Sequence, residues 1–172
     1  MAKILMVVAP ERFRDEELFV TQKVLEENNH SITIASTIIG VIYGSRGGKV
    51  SVQKLISEIK TDEYDAVCFV GGGGSKLLFN NPDAIRIARE MYAYGKVVAA
   101  ICLAPVILAN AGILSGKRAT VTGTESKTIE AKGAHYTGPG VVVDGRVVTA
   151  NGPKSSQLFA QKIHEVLTNI DR

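Results

Sequence analysis

The sequence predicts an α/β fold, a three-layer sandwich with a mostly parallel central sheet and helices on both faces. Three observations carry this. Continuous apolar runs at residues 4–9 (ILMVVA), 66–70 (AVCFV) and 97–102 (VVAAIC) suit strands buried on both faces. Helical segments with start and stop signals lie between them. The chain has 172 residues, enough to bury a sizeable core, and shows no internal repeat, linker or low-complexity stretch. All of residues 1–172 are therefore expected to form one domain.

Taken in order, residues 4–9 form the first strand. A helix begins near Asp15, a plausible N-cap, and runs to about Asn28. The alternating segment 31–36 (SITIAS) reads as the second strand. Residues 40–48 form a Gly-rich loop or hairpin holding Tyr43 and Arg46, and residues 52–59 a short helix or edge strand. The strand at 66–70 is followed at once by four glycines, Gly71 to Gly74. Residues 83–94 form a helix, with Pro82 at its start and Gly95 at its end. The strand at 97–102 leads into a helix over 105–110 with Pro105 in its first turn. Late strands are expected at 120–122, 141–143 and 147–149, the last two joined by an Asp144-Gly145 hairpin turn. A helix over 155–167 closes the chain.

Composition excludes several functions. Apolar residues make up 45% and charged residues 22%, and the net charge of +3 is spread along the chain. Lys and Arg form no run, which argues against nucleic acid as a partner. No apolar stretch is long enough to span a bilayer. The N-terminus lacks a small-residue cleavage site and reads as a strand, which points to the cytoplasm. Two cysteines, Cys68 and Cys102, make no disulfide framework. No Cys/His spacing suggests a metal, and no constellation calls for a cofactor.

In an open α/β sheet, ligands bind beyond the carboxyl ends of the strands. Three loops belong to that edge: the one carrying Glu11, Asp15, Glu16 and Glu17, the tetraglycine loop, and the turn at Cys102. Cys102 lies between a strand and a helix, with Ala100 and Ala104 flanking it two residues away. This follows the logic of a nucleophile elbow, with Cys where hydrolases have Ser. The next helix's N-terminus would favour a thiolate there. Cys68, inside AVCFV, reads instead as a buried small hydrophobe. Glu17 is the best acidic partner, because a buried, protonated carboxyl can donate a hydrogen bond to the sulfur. Asp15 and Glu16 fit solvent-exposed first-turn acids better, but local sequence does not choose among the three.

The tetraglycine loop fails the P-loop pattern, since no Gly-Lys-Ser/Thr follows at the required spacing. It fails the dinucleotide fingerprint too, since Lys76 stands where the last glycine belongs. Gly71 and Gly72, with the N–H of Leu103, can form an oxyanion hole; a plain flexible turn is the alternative. Arg46 can bind an anion or simply lie in solvent. His30, His135 and His164 all fall away from Cys102, so a Cys-His dyad is not expected.

Together these segments resemble the ThiJ/PfpI superfamily along essentially the whole chain. The resemblance rests on DEEL at the first helix, VGGGG after a buried strand, and AICLAP at the elbow. Ser45-Arg46, the AGIL-x-GK segment ending at Lys117, and Gly152-Pro153 are weaker matches. It implies a flavodoxin-like, glutamine-amidotransferase-like fold. By resemblance Cys102 corresponds to an oxidation-prone nucleophile, Glu17 to the acid bonded to it, and Gly72 and Leu103 to oxyanion donors with Gly71 adjacent. Arg46 corresponds to an arginine near the pocket mouth. The chain departs from the protease-like branch at Leu103, where that branch has His, and at Lys76, where it has Glu. Thr122 stands where the deglycase and glyoxalase branch has a His, and Thr cannot serve as a base at neutral pH. The resemblance implies hydrolase-, glyoxalase- or deglycase-like action on a small-molecule electrophile such as a reactive carbonyl. The alternative is a redox sensor or chaperone in which an oxidant acts on Cys102, and a peptidase ranks last. It also implies a homodimer or higher homo-oligomer.

Overall fold

The computed structural model describes residues 1–169. The chain runs β1 (Lys3–Val7), α1 (Asp15–Glu27), β2 (Ser31–Ser36), β3 (Gly40–Tyr43), β4 (Lys49–Val52), β5 (Lys54–Leu55) and β6 (Ala66–Phe69). It continues through α2 (Pro82–Ala93), β7 (Val97–Ile101), α3 (Pro105–Asn110), β8 (Arg118–Ala119), α4 (Ser126–Ala131) and β9 (His135–Tyr136). It ends with β10 (Val141–Asp144), β11 (Val147–Ala150) and α5 (Ser156–Asn169).

Seven strands form one sheet in the order β10-β11-β7-β6-β1-β2-β5. Every pairing is parallel except β10 with β11. Successive side chains of a strand point to opposite faces. Leu5, Val7, Val67, Phe69, Val98 and Ala100 therefore pack toward α2 and α3. Ile4, Met6, Cys68, Val97 and Ala99 pack toward α1 and α5. Both faces are covered, so these strands read as continuous apolar runs. The expected three-layer α/β sandwich is the observed one.

The strand order reverses between β1 and β6, since the chain goes from β1 out through β2 to β5 and returns on the other side. This is the topological switch point, where loops diverge and leave a crevice. Register brings the ends level: Val7 lies opposite Phe69, and Phe69 opposite Ala100.

Residues 40–48, expected as a loop or hairpin, hold β3 and the turn that joins it to β4, and the two strands pair antiparallel beyond the expected bound. Residues 52–59 hold both expected forms, the edge strand β5 and a 3-10 turn at Ile56–Glu58. The strand expected at 120–122 is not formed. The nearest strand is β8, which pairs with β9 outside the main sheet. The reason is where the backbone donors go. Thr120 N–H donates to Thr149 Oγ1 at 2.9 Å, and Thr122 N–H to the Cys102 carbonyl at 2.8 Å. The segment crosses the carboxyl edge of the sheet instead of joining it. The tetraglycine stretch is no loose turn either, because it leads into a 3-10 helix at Gly73–Leu78.

Candidate active site

Cys102 follows the last residue of β7 in a left-handed backbone conformation, φ +66°. A non-glycine residue there is strained and needs support from its surroundings. The support is visible: Cys102 N–H donates to the Ala150 carbonyl at 2.8 Å, and Ala104 N–H to the Ile101 carbonyl at 3.1 Å. The elbow lifts the side chain out of the sheet and leaves it half-buried at the switch point.

Glu17 reaches the same place from the first turn of α1 and is fully buried. Among the described residues, neither carboxyl oxygen has a partner at full hydrogen-bonding geometry. The polar groups facing it are the Cys102 sulfur and the N–H of Gly71. Burial raises its pKa to about 7, against the pull of Cys102, Arg14 and the Gly71 N–H. A carboxyl so placed is often protonated near neutral pH and then has a proton to give to sulfur. Asp15 and Glu16, the rival acids, are otherwise engaged. Asp15 accepts from the backbone N–H groups of Arg46 at 2.9 Å and Gly48 at 2.7 Å. Glu16 accepts from Arg14 Nε at 2.7 Å.

Burial, then the Glu17 charge, pushes the Cys102 thiol up to about 12, while the N–H groups of Gly72 and Leu103 pull it down. The helix terminus does not make a free thiolate here, because α3 has six residues and desolvation outweighs it. Gly72 and Leu103 present backbone N–H groups on the side of the sulfur, which favours the thiolate over the thiol. Gly71 does not join them, since its N–H faces Glu17. Gly71 serves by being small, as a Cβ there would lie 2.7 Å from Cys102 Cβ and collide with Glu17 Oε1. Gly72 sits at φ +111°, and a Cβ there would lie 2.8 Å from the Phe13 carbonyl carbon. Only glycine lets residues 12–14 close over the site.

Cys102 opens into a pocket of about 280 Å³. Arg14, Ser45, Lys76, Leu103, Thr122 and Glu125 are among its lining residues. Thr122 is thus at the site, while Arg46 does not line it; its side chain is exposed and its backbone is held by Asp15. Arg14 is a second cation at the rim beside Lys76, and sequence reasoning missed it. The signal was its place next to the first-turn acids. Glu125 was missed too, and nothing in its local sequence marks it. Leu103 and Lys76 occupy the rim where the protease-like branch would carry His and Glu. His30 and His164 lie at the opposite, amino-end edge, and His135 is exposed in β9. Among the described residues, no group of three or more His, Cys, Asp or Glu could hold a metal ion, and no helix is long and apolar enough to cross a membrane.

A DJ-1/PfpI family profile matches residues 2–166. The chain belongs to the DJ-1/PfpI family. It is 47% identical over 165 residues to the uncharacterized protein MJ0967 of Methanocaldococcus jannaschii, covering 94% of this chain and 80% of that one. It is 40% identical over 152 residues to the deglycase PfpI of Pyrococcus furiosus, covering 88% and 90%. The solved ThiJ/PfpI domain protein from Brachyspira murdochii superposes with a TM-score of 0.95 at 36% identity, covering 97% and 96%.

Proposed function

We infer that this DJ-1/PfpI family chain is a cysteine-dependent enzyme acting on small reactive carbonyls. The observation that carries the reading is the fully buried Glu17 carboxyl, without a full hydrogen bond, facing the Cys102 sulfur. As the sulfur attacks a carbonyl carbon, an S–C bond forms and the C=O π pair moves to oxygen. The proton that leaves the thiol is held by Glu17 and returns to that oxygen. The N–H groups of Gly72 and Leu103 stabilise the negative charge as it moves from sulfur to oxygen. The name of the Pyrococcus furiosus relative, a deglycase, supports the substrate class. The pocket admits small molecules, and Leu103 and Lys76 at its rim disfavour peptidase chemistry. The test is methylglyoxal consumption. Cys102→Ser is expected to abolish it and Glu17→Gln to reduce it by roughly 10²-fold or more. A Cys102→Ser variant as fast as the parent sinks the reading.

A redox role is the second reading, because the donors that serve an oxyanion also suit the oxygens of a sulfinate on Cys102. Intact-mass measurement after mild peroxide checks it; no two-oxygen addition at Cys102 removes it. The family resemblance also supports assembly as a homo-oligomer, which sedimentation velocity tests.

A further inference from the structure

At the amino-end edge of the sheet, far from Cys102, three groups from three parts of the fold form a hydrogen-bonded chain. Ala2, just before β1, donates its backbone N–H to His30 Nδ1 at 3.0 Å. His30, just before β2, faces His164 of α5, with Nε2 to Nδ1 at 2.8 Å. His30 is buried and His164 half-buried.

The donors fix the proton positions. A backbone N–H can only donate, so His30 Nδ1 must be bare. Neutral His30 then carries its proton on Nε2 and donates to His164 Nδ1, which must also be bare. His164 keeps its proton on Nε2. Every ring nitrogen facing a neighbour is committed, and no site within the chain can take another proton without a cost. A proton on His30 Nδ1 faces the Ala2 N–H, donor against donor. A proton on His164 Nδ1 faces the His30 N–H in the same way. Flipping the His30 tautomer only moves the clash back to Ala2.

We propose that Ala2, His30 and His164 form a pH-sensitive latch, in which one added proton breaks the chain and loosens the C-terminal half of α5 from the start of the sheet. The proposal is independent of the reaction assigned to Cys102. α5 packs along α1 and covers one face of the sheet through Phe159, Ala160 and Ile163. Its C-terminal half is held in part by this contact.

The charged surroundings give a mixed field. From the sheet edge, the Met1 α-amino group, Lys96 and Arg146 oppose a further proton, and Asp65 favours one. From the helices, Glu27 of α1 and Glu165 of α5 share a hollow with His164. Asp65 is partly committed, accepting the Lys3 backbone N–H at 2.8 Å with Lys96 Nζ at 3.8 Å. Burial first, and then His164, lowers the His30 pKa. A lowered pKa means the unfolded chain binds the proton more readily. The stability His30 contributes is complete above the ordinary histidine pKa and is lost as pH falls below it toward the lowered folded value.

Two measurements on the full chain test this. Nitrogen-15 NMR of the imidazoles reads the tautomers directly: at about pH 8, His30 Nδ1 and His164 Nδ1 should both be unprotonated. Amide hydrogen exchange, corrected for intrinsic rates, reads the latch. Protection over residues 163–168 should fall roughly tenfold more than that of α2 between about pH 8 and about pH 5. His164→Asn offers a non-titrating acceptor, leaves His30 Nδ1 as the one proton site in the chain, and should reduce that difference. A protonated His30 Nδ1, an α5 that tracks α2, or a His164→Asn variant with the parent's pH course each overturns the proposal. If the variant does not fold, the tautomers and the parent's exchange still decide.

Discussion

Cys102 and Glu17 face each other across too little space to titrate independently, and their protons belong to the pair. The first proton leaves near 7, mainly from Glu17, and the second near 12, mainly from the thiol. Between those values the pair holds one proton. A fixed share of molecules keeps it on Glu17 with the sulfur as thiolate, and that share does not depend on pH. Alkylation of Cys102 by iodoacetamide should therefore rise up to about pH 7 and stay level to about pH 9. Glu17→Gln removes the first ionisation, so its rate should climb roughly tenfold per pH unit across the same window. A parent rate that also climbs there would show that the residues titrate separately. Stability follows with a definite sign. Burial raises Glu17 above its ordinary 4.5, so its contribution is full below that value and is lost as pH rises through about 7. Glu17→Gln keeps the shape without the charge. It should exceed the parent by on the order of 2 kcal/mol at about pH 8 and show little difference near pH 5, read from urea midpoints.

The hairpin of β3 and β4 reaches the pocket only because its turn is tied down. Asp15 accepts the N–H groups of Arg46 and Gly48, and Ser45 N–H donates to the Phe13 carbonyl at 2.9 Å. Those bonds set Ser45 at the rim. Asp15→Ala should cost about 1–2 kcal/mol, because the freed N–H groups lie near water and are partly rehydrated. Exchange at residues 45–48 should quicken while β6 is unchanged; equal protection in variant and parent would remove Asp15 from this role. This clamp shows what a sequence hides. β1, β6 and β7 were legible because continuous apolar runs report burial on both faces. The elbow at Cys102 was legible because a small-residue turn after such a run has few other uses. Residues 120–122 were misread because apolar alternation says nothing of where an N–H goes, and here a side chain and a loop carbonyl take the donors. Arg14 and Glu125 reach the pocket through loops whose path depends on distant partners. Gly71 and Gly72 look identical in sequence. Their N–H groups point at different atoms, one at Glu17 and the other at the sulfur.

The sheet separates two packed layers, and the site stands at the carboxyl edge where both end, so stability and thiol reactivity should be separable. The two cysteines provide the means. Cys102 opens to its pocket in the native state, whereas Cys68 is fully buried at the centre of β6, between β1 and β7. Burial raises the Cys68 thiol far above its ordinary range. Its side chain points to the face that α1 and α5 cover, so it is exposed only when those helices leave the sheet, and its labelling reports that large-scale unfolding. Intact-mass analysis under native conditions should show one alkylation, at Cys102, with the second delayed until the chain unfolds. Phe159 of α5 lies fully buried on the same face as Cys68. Phe159→Ala should cost about 3–5 kcal/mol through lost burial and the cavity left behind. When refolding outpaces labelling, the Cys68 rate follows the unfolded population, so it should rise on the order of 10²–10⁴-fold. The Cys102 rate should not change, because Cys102 opens to its pocket at the carboxyl edge and reacts from the folded state. Matched acceleration at both cysteines would mean that Cys102 also reacts only through unfolding, and the pocket would then have no part in its chemistry.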